Sequence, residues 1–403
     1  MSKRILVIGA GFSGMWSALS AARLLDQLGR ADVEVALIAP KPELHVRPRL
    51  YEHDPHKMSA PLQHLFDTAG VRFIAGQVAT IDTQARQVGL AGSGDGATRQ
   101  TIGYDRLVIA AGSRLNRPAI PGLDQHAFNV DQVADAAALQ AHIHALADRP
   151  DSPARNTVIV AGAGFTGIET AAEMPARLRE ALGARADVKV IMVERNDAVG
   201  PELGEGPRPV ITQALSELGV TWKLGVGVAA VDADGVTLDN GERLDAATVI
   251  WTAGARANGL TAQIPAERDG FGRLHVDRHL KVKGLDAVFA TGDCAYAATD
   301  DEGNHAMMSC QHAMNLGRSA GHNVAADLLG ASPIPYSQPK YVTCLDLGPW
   351  GAVYTEGWDR QVVMAGPDAK ALKTQINTEW IYPPTGDRAQ IFELADPRRI
   401  VVA

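Results

Sequence analysis

The sequence predicts an α/β fold with two parallel-sheet domains of one design and a smaller C-terminal α+β region. Three observations predict it. Residues 186–195, "ADVKVIMVER", nearly repeat residues 31–40, "ADVEVALIAP". Each run follows an apolar strand and a Gly-x-Gly-x-x-Gly turn. Each is in turn followed by short alternating strands that close in Ala-Gly.

Composition sets the frame. At 403 residues the chain is long enough for two or three domains with real cores. Hydrophobic residues at 46% and charged ones at 21% match an ordinary soluble globular protein. A net charge of -8 argues against nucleic acid as a partner. Cys294, Cys310 and Cys344 form no CxxC and leave an odd number, which argues against a disulfide framework and for a reducing cytoplasm. No metal site is expected. After "MSKR" the run "ILVIGAGFSGMWSALSAA" carries no charge and has the length of a membrane span. Its glycines favour strand, turn and helix instead. No other stretch approaches a span, so no transmembrane anchor is expected.

The repeat covers residues 8–39 and 161–194, aligned by two one-residue insertions in the second copy. Each copy reads as a strand ("RILVI", "TVIVA"), a glycine turn, an alanine-rich helix and a second strand. That is a βαβ unit with a right-handed crossover. Gly9 and Gly162 permit the tight turn. Gly11 and Gly164 let the backbone approach a pyrophosphate, and Gly14 and Gly167 let helix pack closely on strand. The phosphates then meet free N–H groups and the positive end of the helix dipole. Both domains are therefore expected to be Rossmann-like and to bind dinucleotides.

The copies differ at one telling position. Glu194 ends the second strand of the later copy, 32 residues after Gly162, where a carboxylate accepts hydrogen bonds from a ribose. A lengthened helix absorbs the spacing. The earlier copy has Ala39 there, which accepts nothing through its side chain. Two different dinucleotides are expected: FAD at the first turn and NADH at the second. Arg195, beside Glu194, keeps NADPH open.

Residues 71–112 read as strands "VRFIAGQVATID", "RQVGLA" and "YDRLVIAAG", joined by "GSGDGA", and residues 220–254 repeat the scheme. Then "LDAVFATGDCA" at 285–295 sets an apolar strand against the turn Gly292–Asp293. The helix "SCQHAMNLGRSAGHNVAADLLG" follows, with Ala313, Leu316, Ala320 and Val324 on one face. The Asp293 carboxylate suits a sugar-alcohol chain, and a plain turn or N-cap residue is the alternative. The expected division is an FAD-binding domain from 1–120 and 255–325, an NAD(P)H-binding domain at 121–254, and a C-terminal region at 326–403.

The ordered motifs "GAGFSG", "YDRLVIAAGS", "GAGFTGIE", "VIWTAG" and "VFATGDCA" resemble the pyridine nucleotide-dependent FAD oxidoreductase superfamily. That resemblance implies that Asp293 binds the ribityl–phosphate part of FAD, and that Ala111–Gly112 and Gly254 lie near the cofactors. Within the superfamily the chain is most similar to type II NADH:quinone oxidoreductases. "GFTGIETAAEM" resembles their GxTGxE segment, which puts Glu169 near nicotinamide and flavin. "CQHAMNLG" resembles their AQxAxxxG segment, which puts Gln311 near the quinone pocket. "HVRPRLYE" at 45–52 corresponds loosely to their proline-containing segment beside the flavin, through Pro48. Read alone, Glu169 also fits a first-turn helix acid, and Gln311 a surface amide. Residues 326–403 match the family only in outline. They lack the apolar stripe with a basic opposite face by which those enzymes sit on membranes.

The expected activity is electron transfer from NADH through FAD to a small acceptor, with a quinone foremost. A ferredoxin- or rubredoxin-type reductase and a biosynthetic flavin oxidoreductase are the enzymatic alternatives. A redox-sensing nucleotide-binding protein is the non-enzymatic one. The absent CxxC speaks against a dithiol acceptor, and Cys344 alone cannot form the cysteine pair of sulfide:quinone oxidoreductases. A homodimer is compatible with the sequence.

Overall fold

Lys3–Ile8 carries no charge after Arg4, and its inner residues Ile5, Leu6 and Val7 are fully buried. Such continuous apolar runs suit strands covered on both faces. In the computed structural model, which describes residues 3–92 and 100–400, this run is the middle strand of a five-stranded parallel sheet. The order is Val288–Ala290, Arg106–Ile109, Lys3–Ile8, Val33–Ala39, Arg72–Ala75. A strand from late in the chain thus pairs at Val288 with Leu107 of an early one. The second sheet repeats the design with four parallel strands in the order Val220–Leu224, Lys189–Glu194, Thr157–Ala161, Thr248–Trp251. Both are Rossmann-like.

Two long strand readings divide. The run 71–82 breaks at Gly76, so Arg72–Ala75 joins the parallel sheet and Val78–Asp82 an antiparallel one. The run 220–232 divides likewise into Val220–Leu224 and Val228–Asp232. A Cβ on Gly76 at this break would lie 2.7 Å from Leu90 Cδ1, so a larger residue there would push the Leu90 side chain aside. The "GSGDGA" linker lies, beyond Gly92, outside the described residues.

Helix Phe12–Gln27 follows the first glycine turn and packs along helix Cys310–Leu329. Small residues bring the backbones together: a Cβ on Gly317 would lie 2.6 Å from Ser13 O, and one on Gly321 2.1 Å from Ser17 O. The helices run parallel with Gly317 level with Ser13. The turns that precede Gly317, roughly 10 Å of helix at 1.5 Å per residue, therefore overhang the first glycine turn. Ser309 caps this helix and Gly330, at φ 69, ends it.

The C-terminal region forms an antiparallel sheet of Val342–Asp346, Ala352–Glu356 and Gln361–Gly366, then helices Pro367–Gln375 and Arg388–Leu394. Among the described residues, no helix is long and apolar enough to cross a membrane.

Candidate functional site

The first glycine turn has the clearances a bound pyrophosphate requires. Gly9 adopts φ 109, and a Cβ on it would lie 2.3 Å from Ala110 O. One on Gly14 would lie 1.9 Å from Gly9 O, so helix and strand touch there. Gly11 and Gly112, by contrast, have no atom within 4 Å of that position. The open space over Gly11 begins a helix with no side-chain cap and no acid in its first turn. The turn Gly292–Asp293 closes on the same point, since a Cβ on Gly292 would lie 2.5 Å from Ser13 Oγ. These residues fit FAD. Ala39 is buried at the end of its strand and supplies no acid.

Asp293 has a network that sequence reasoning missed. Ser113 Oγ donates to Asp293 Oδ2 at 2.6 Å, and Arg47 Nη1 donates to Ser113 Oγ at 3.2 Å. Burial pushes the Asp293 carboxyl up, against the Ser113 hydroxyl. Arg47 is fixed from the other side by an ion pair with Asp131. Pro48 lies inside the short 3-10 turn Arg47–Arg49, so this segment is tied to Asp293 through its arginine.

The second turn repeats the geometry, with Gly162 at φ 110 and a Cβ on Gly167 lying 2.0 Å from Gly162 O. Glu194 turns back onto it. Its Oε2 accepts from Ala163 N–H at 2.8 Å, and Oε1 from Asn196 N–H at 3.0 Å. A carboxylate held at the glycine turn fits the ribose of NADH. Gly254, at φ 78, lies next to Asn116.

Glu169 is not a first-turn acid. The helix begins at Phe165, and its first turn contains none. The Glu169 side chain is buried and faces the C-terminal region. Lys373 Nζ donates to its Oε1 at 2.8 Å, and Asp346 N–H donates at 3.1 Å. Lys373 also donates to Cys344 O at 3.0 Å. Burial pushes the Glu169 carboxyl up to about 7, with Lys373 pulling it down. Burial would lower the Lys373 ammonium, but Glu169, Cys344 and Asp346 together hold the lysine above its ordinary value. Asp346 in turn accepts from Tyr51 Oη at 2.9 Å and Lys370 Nζ at 2.5 Å. A cavity of about 510 Å³, lined by Glu52, Glu173, Asp346, Lys370 and Lys373 among others, leads to this group.

Gln311 starts the overhanging helix and is half-buried. Its amide donates to Val342 O at 3.3 Å and accepts from Gln338 Nε2 at 3.4 Å. Both bonds are long. All three cysteines are free, and burial pushes Cys294 up to about 12, with Cys310 and Cys344 up to about 11. Such thiols stay protonated at neutral pH and are poor nucleophiles. The unread residues here are Arg47, Ser113, Asp346, Lys370 and Lys373. Their one local signal was the Lys370/Lys373 spacing on a short helix.

A glycine-turn pair of this kind is matched by one family model, described as pyridine nucleotide-disulphide oxidoreductase, over residues 3–317. The chain belongs to this family. An NADH dehydrogenase-like protein of Mycobacterium tuberculosis is 48% identical over 401 residues, with 98% of each chain covered. A type II NADH:quinone oxidoreductase of Staphylococcus epidermidis is 28% identical, covering 94% of this chain and 95% of its own. Among solved structures, NDH2 of Plasmodium falciparum in complex with NADH superposes with a TM-score of 0.77 at 14% identity, covering 98% of each chain. The sulfide:quinone oxidoreductase of Aquifex aeolicus also gives 0.77, at 18% identity, covering 98% of this chain and 93% of its own. At those identities the two structures share the fold. Family membership accounts for the paired glycine turns, while the free, protonated cysteines of this member lack the disulphide of the family's name.

Proposed function

We propose that this chain delivers electrons from NADH through FAD to a quinone, with no cysteine relay. It is an FAD-dependent NADH oxidoreductase, and the acceptor is the proposed part. FAD supplies the two-electron step between nicotinamide and acceptor. The balanced reaction is NADH + H⁺ + quinone → NAD⁺ + quinol, so one proton must come from solution.

The buried Glu169–Lys373 pair carries this reading. It is a buried proton-holding group with a carboxyl near 7, and its lysine partner lines a cavity that opens to solvent. A general acid works best with its pKa near the operating pH. An iron–sulfur protein acceptor takes electrons alone and has no use for such a group. Gln311 supports the same reading, because its two long hydrogen bonds are readily exchanged for an acceptor carbonyl. Gly11, Gly292 and Asp293 are assigned to FAD, and Gly164 and Glu194 to NADH. The quinone-oxidoreductase relative at 28% identity supports the acceptor class.

The test compares a short-chain quinone, ferricyanide, a ferredoxin and oxygen as acceptors at saturating NADH. Quinone should give the highest kcat/KM and lose rate above pH 7. Negligible quinone turnover beside rapid ferredoxin reduction refutes the proposal.

A further inference from the structure

Arg360 is an anomaly in the C-terminal sheet. It ends the hairpin turn between Ala352–Glu356 and Gln361–Gly366, only 8% exposed. Its φ of 55 is left-handed, where glycine would be unstrained. A non-glycine residue held there points to a use for its side chain. The guanidinium has five N–H donors and one side-chain hydrogen bond, to Tyr341 Oη at 3.4 Å. It lies 5.0 Å from the centre of the Tyr341 ring. Among the described residues no carboxylate is within ion-pair distance of it. A buried cation with no contact ion pair, only the Coulombic pull of the Glu202 carboxylate, is expensive.

The turn sits against the second glycine turn's surroundings. A Cβ on Gly206 would lie 2.6 Å from Arg360 O, and one on Gly204 3.9 Å from Arg360 Cδ. Glu202 is within electrostatic reach of both Arg360 and Glu194. A Cβ on Gly164 would lie 2.5 Å from Glu202 Oε1, so this carboxylate occupies the space over the central glycine. The helix that starts there, Phe165–Leu182, has no side-chain cap and no acid in its first turn. Glu202 is an exposed residue, yet neighbours crowd its carboxyl. Desolvation pushes it up and Arg360 pulls it down, while Glu194 repels it.

We propose that Glu202 and Arg360 form an exchange site for the diphosphate of the nicotinamide dinucleotide. Glu202 holds the anion position at Gly164 in the free enzyme. The incoming diphosphate displaces it and gains Arg360 as counter-ion, so the C-terminal hairpin contributes to nucleotide binding. The displaced side chain is flexible and reaches solvent. This inference rests on the assignment of NADH to the second glycine turn.

The test titrates the FAD-loaded protein calorimetrically with ADP-ribose, which carries the diphosphate, and with AMP, which lacks it. Arg360→Gln should weaken ADP-ribose by about tenfold or more, as loss of a charge-assisted bond does. Arg360→Lys should recover part of that loss. Glu202→Gln should tighten ADP-ribose severalfold, and neither Arg360→Gln nor Glu202→Gln should move AMP beyond about twofold. Gly164→Leu tests the underlying assignment. If Gly164→Leu abolishes binding while Arg360→Gln and Glu202→Gln match wild type, the exchange site is wrong and the NADH assignment stands. Unchanged binding in Gly164→Leu overturns both. Equal losses for AMP and ADP-ribose in Arg360→Gln also overturn the exchange site. Should Arg360→Gln lose FAD, Glu202→Gln decides alone: tightening supports the site and no change removes it.

Discussion

Glu169 and Lys373 share one buried polar contact, and the chemistry proposed here depends on which of them holds the proton. A carboxyl near 7 is protonated in a large fraction of molecules at neutral pH. Reoxidation of reduced enzyme by quinone should therefore slow as pH rises through about 7, and Glu169→Gln should flatten that profile. The rate below pH 7 should fall roughly 10²-fold in the variant, the usual size of a general-acid contribution. Stopped-flow reoxidation at several pH values checks both. The sign for stability is the same. The folded carboxyl sits above its ordinary 4.5, so its contribution is full below that value and is lost as pH rises through about 7. At the other nucleotide end, Glu194 should favour NADH over NADPH, because a 2′-phosphate would approach a carboxylate already fixed on Ala163 N–H. A penalty of roughly 1–3 kcal/mol follows at intermediate dielectric. Glu194→Ala should narrow the ratio of kcat/KM values, and an unchanged ratio would remove Glu194 from the ribose site.

At the scale of elements, the decisive contact is the helix pair Phe12–Gln27 and Cys310–Leu329. Its glycines let one helix start at the first glycine turn while the other carries Gln311 past that turn. Gly321→Ala places a methyl 2.1 Å from Ser17 O, which forces the backbones apart. Overpacking of this kind costs roughly 1–3 kcal/mol. A lower melting temperature and reduced FAD retention after gel filtration are expected. Gly11→Leu is the complementary case. Its site is open, so the fold should survive while the bulky side chain fills the pyrophosphate position. Full flavin retention in that variant would show that FAD binds elsewhere.

Across the whole molecule, what was legible in the sequence was local. The glycine turns need positive φ and close backbone approach within a few residues, and parallel strands need unbroken apolar runs. Both therefore leave a pattern in one short window. The helix Cys310–Leu329 was readable for the same reason, through Ala313, Leu316, Ala320 and Val324 on one face, and all four are buried. The partners of the site were not. Lys373 lies 204 residues from Glu169, and Asp346 lies 177 from it. No periodicity in residues 326–403 says which lysine folds onto which acid. Long strand readings divided at Gly76 because a period-2 pattern does not say which sheet a residue joins. A cofactor that binds the folded chain and not the unfolded one stabilises it by mass action. Stripping FAD should therefore lower stability, by about 2.7 kcal/mol where the free ligand had stood at 100 times Kd. Thermal melts with and without added FAD check this.

The most direct test of the central claim is sequential-mixing stopped flow on the Cys294→Ser, Cys310→Ser, Cys344→Ser variant. The flavin is first bleached anaerobically with one equivalent of NADH and then mixed with a short-chain quinone. Full recovery of the flavin absorbance at the wild-type rate, with one quinol formed per NADH, is the predicted result. A flavin that stays bleached in this variant, while wild type recovers, would contradict direct transfer and place a cysteine in the path.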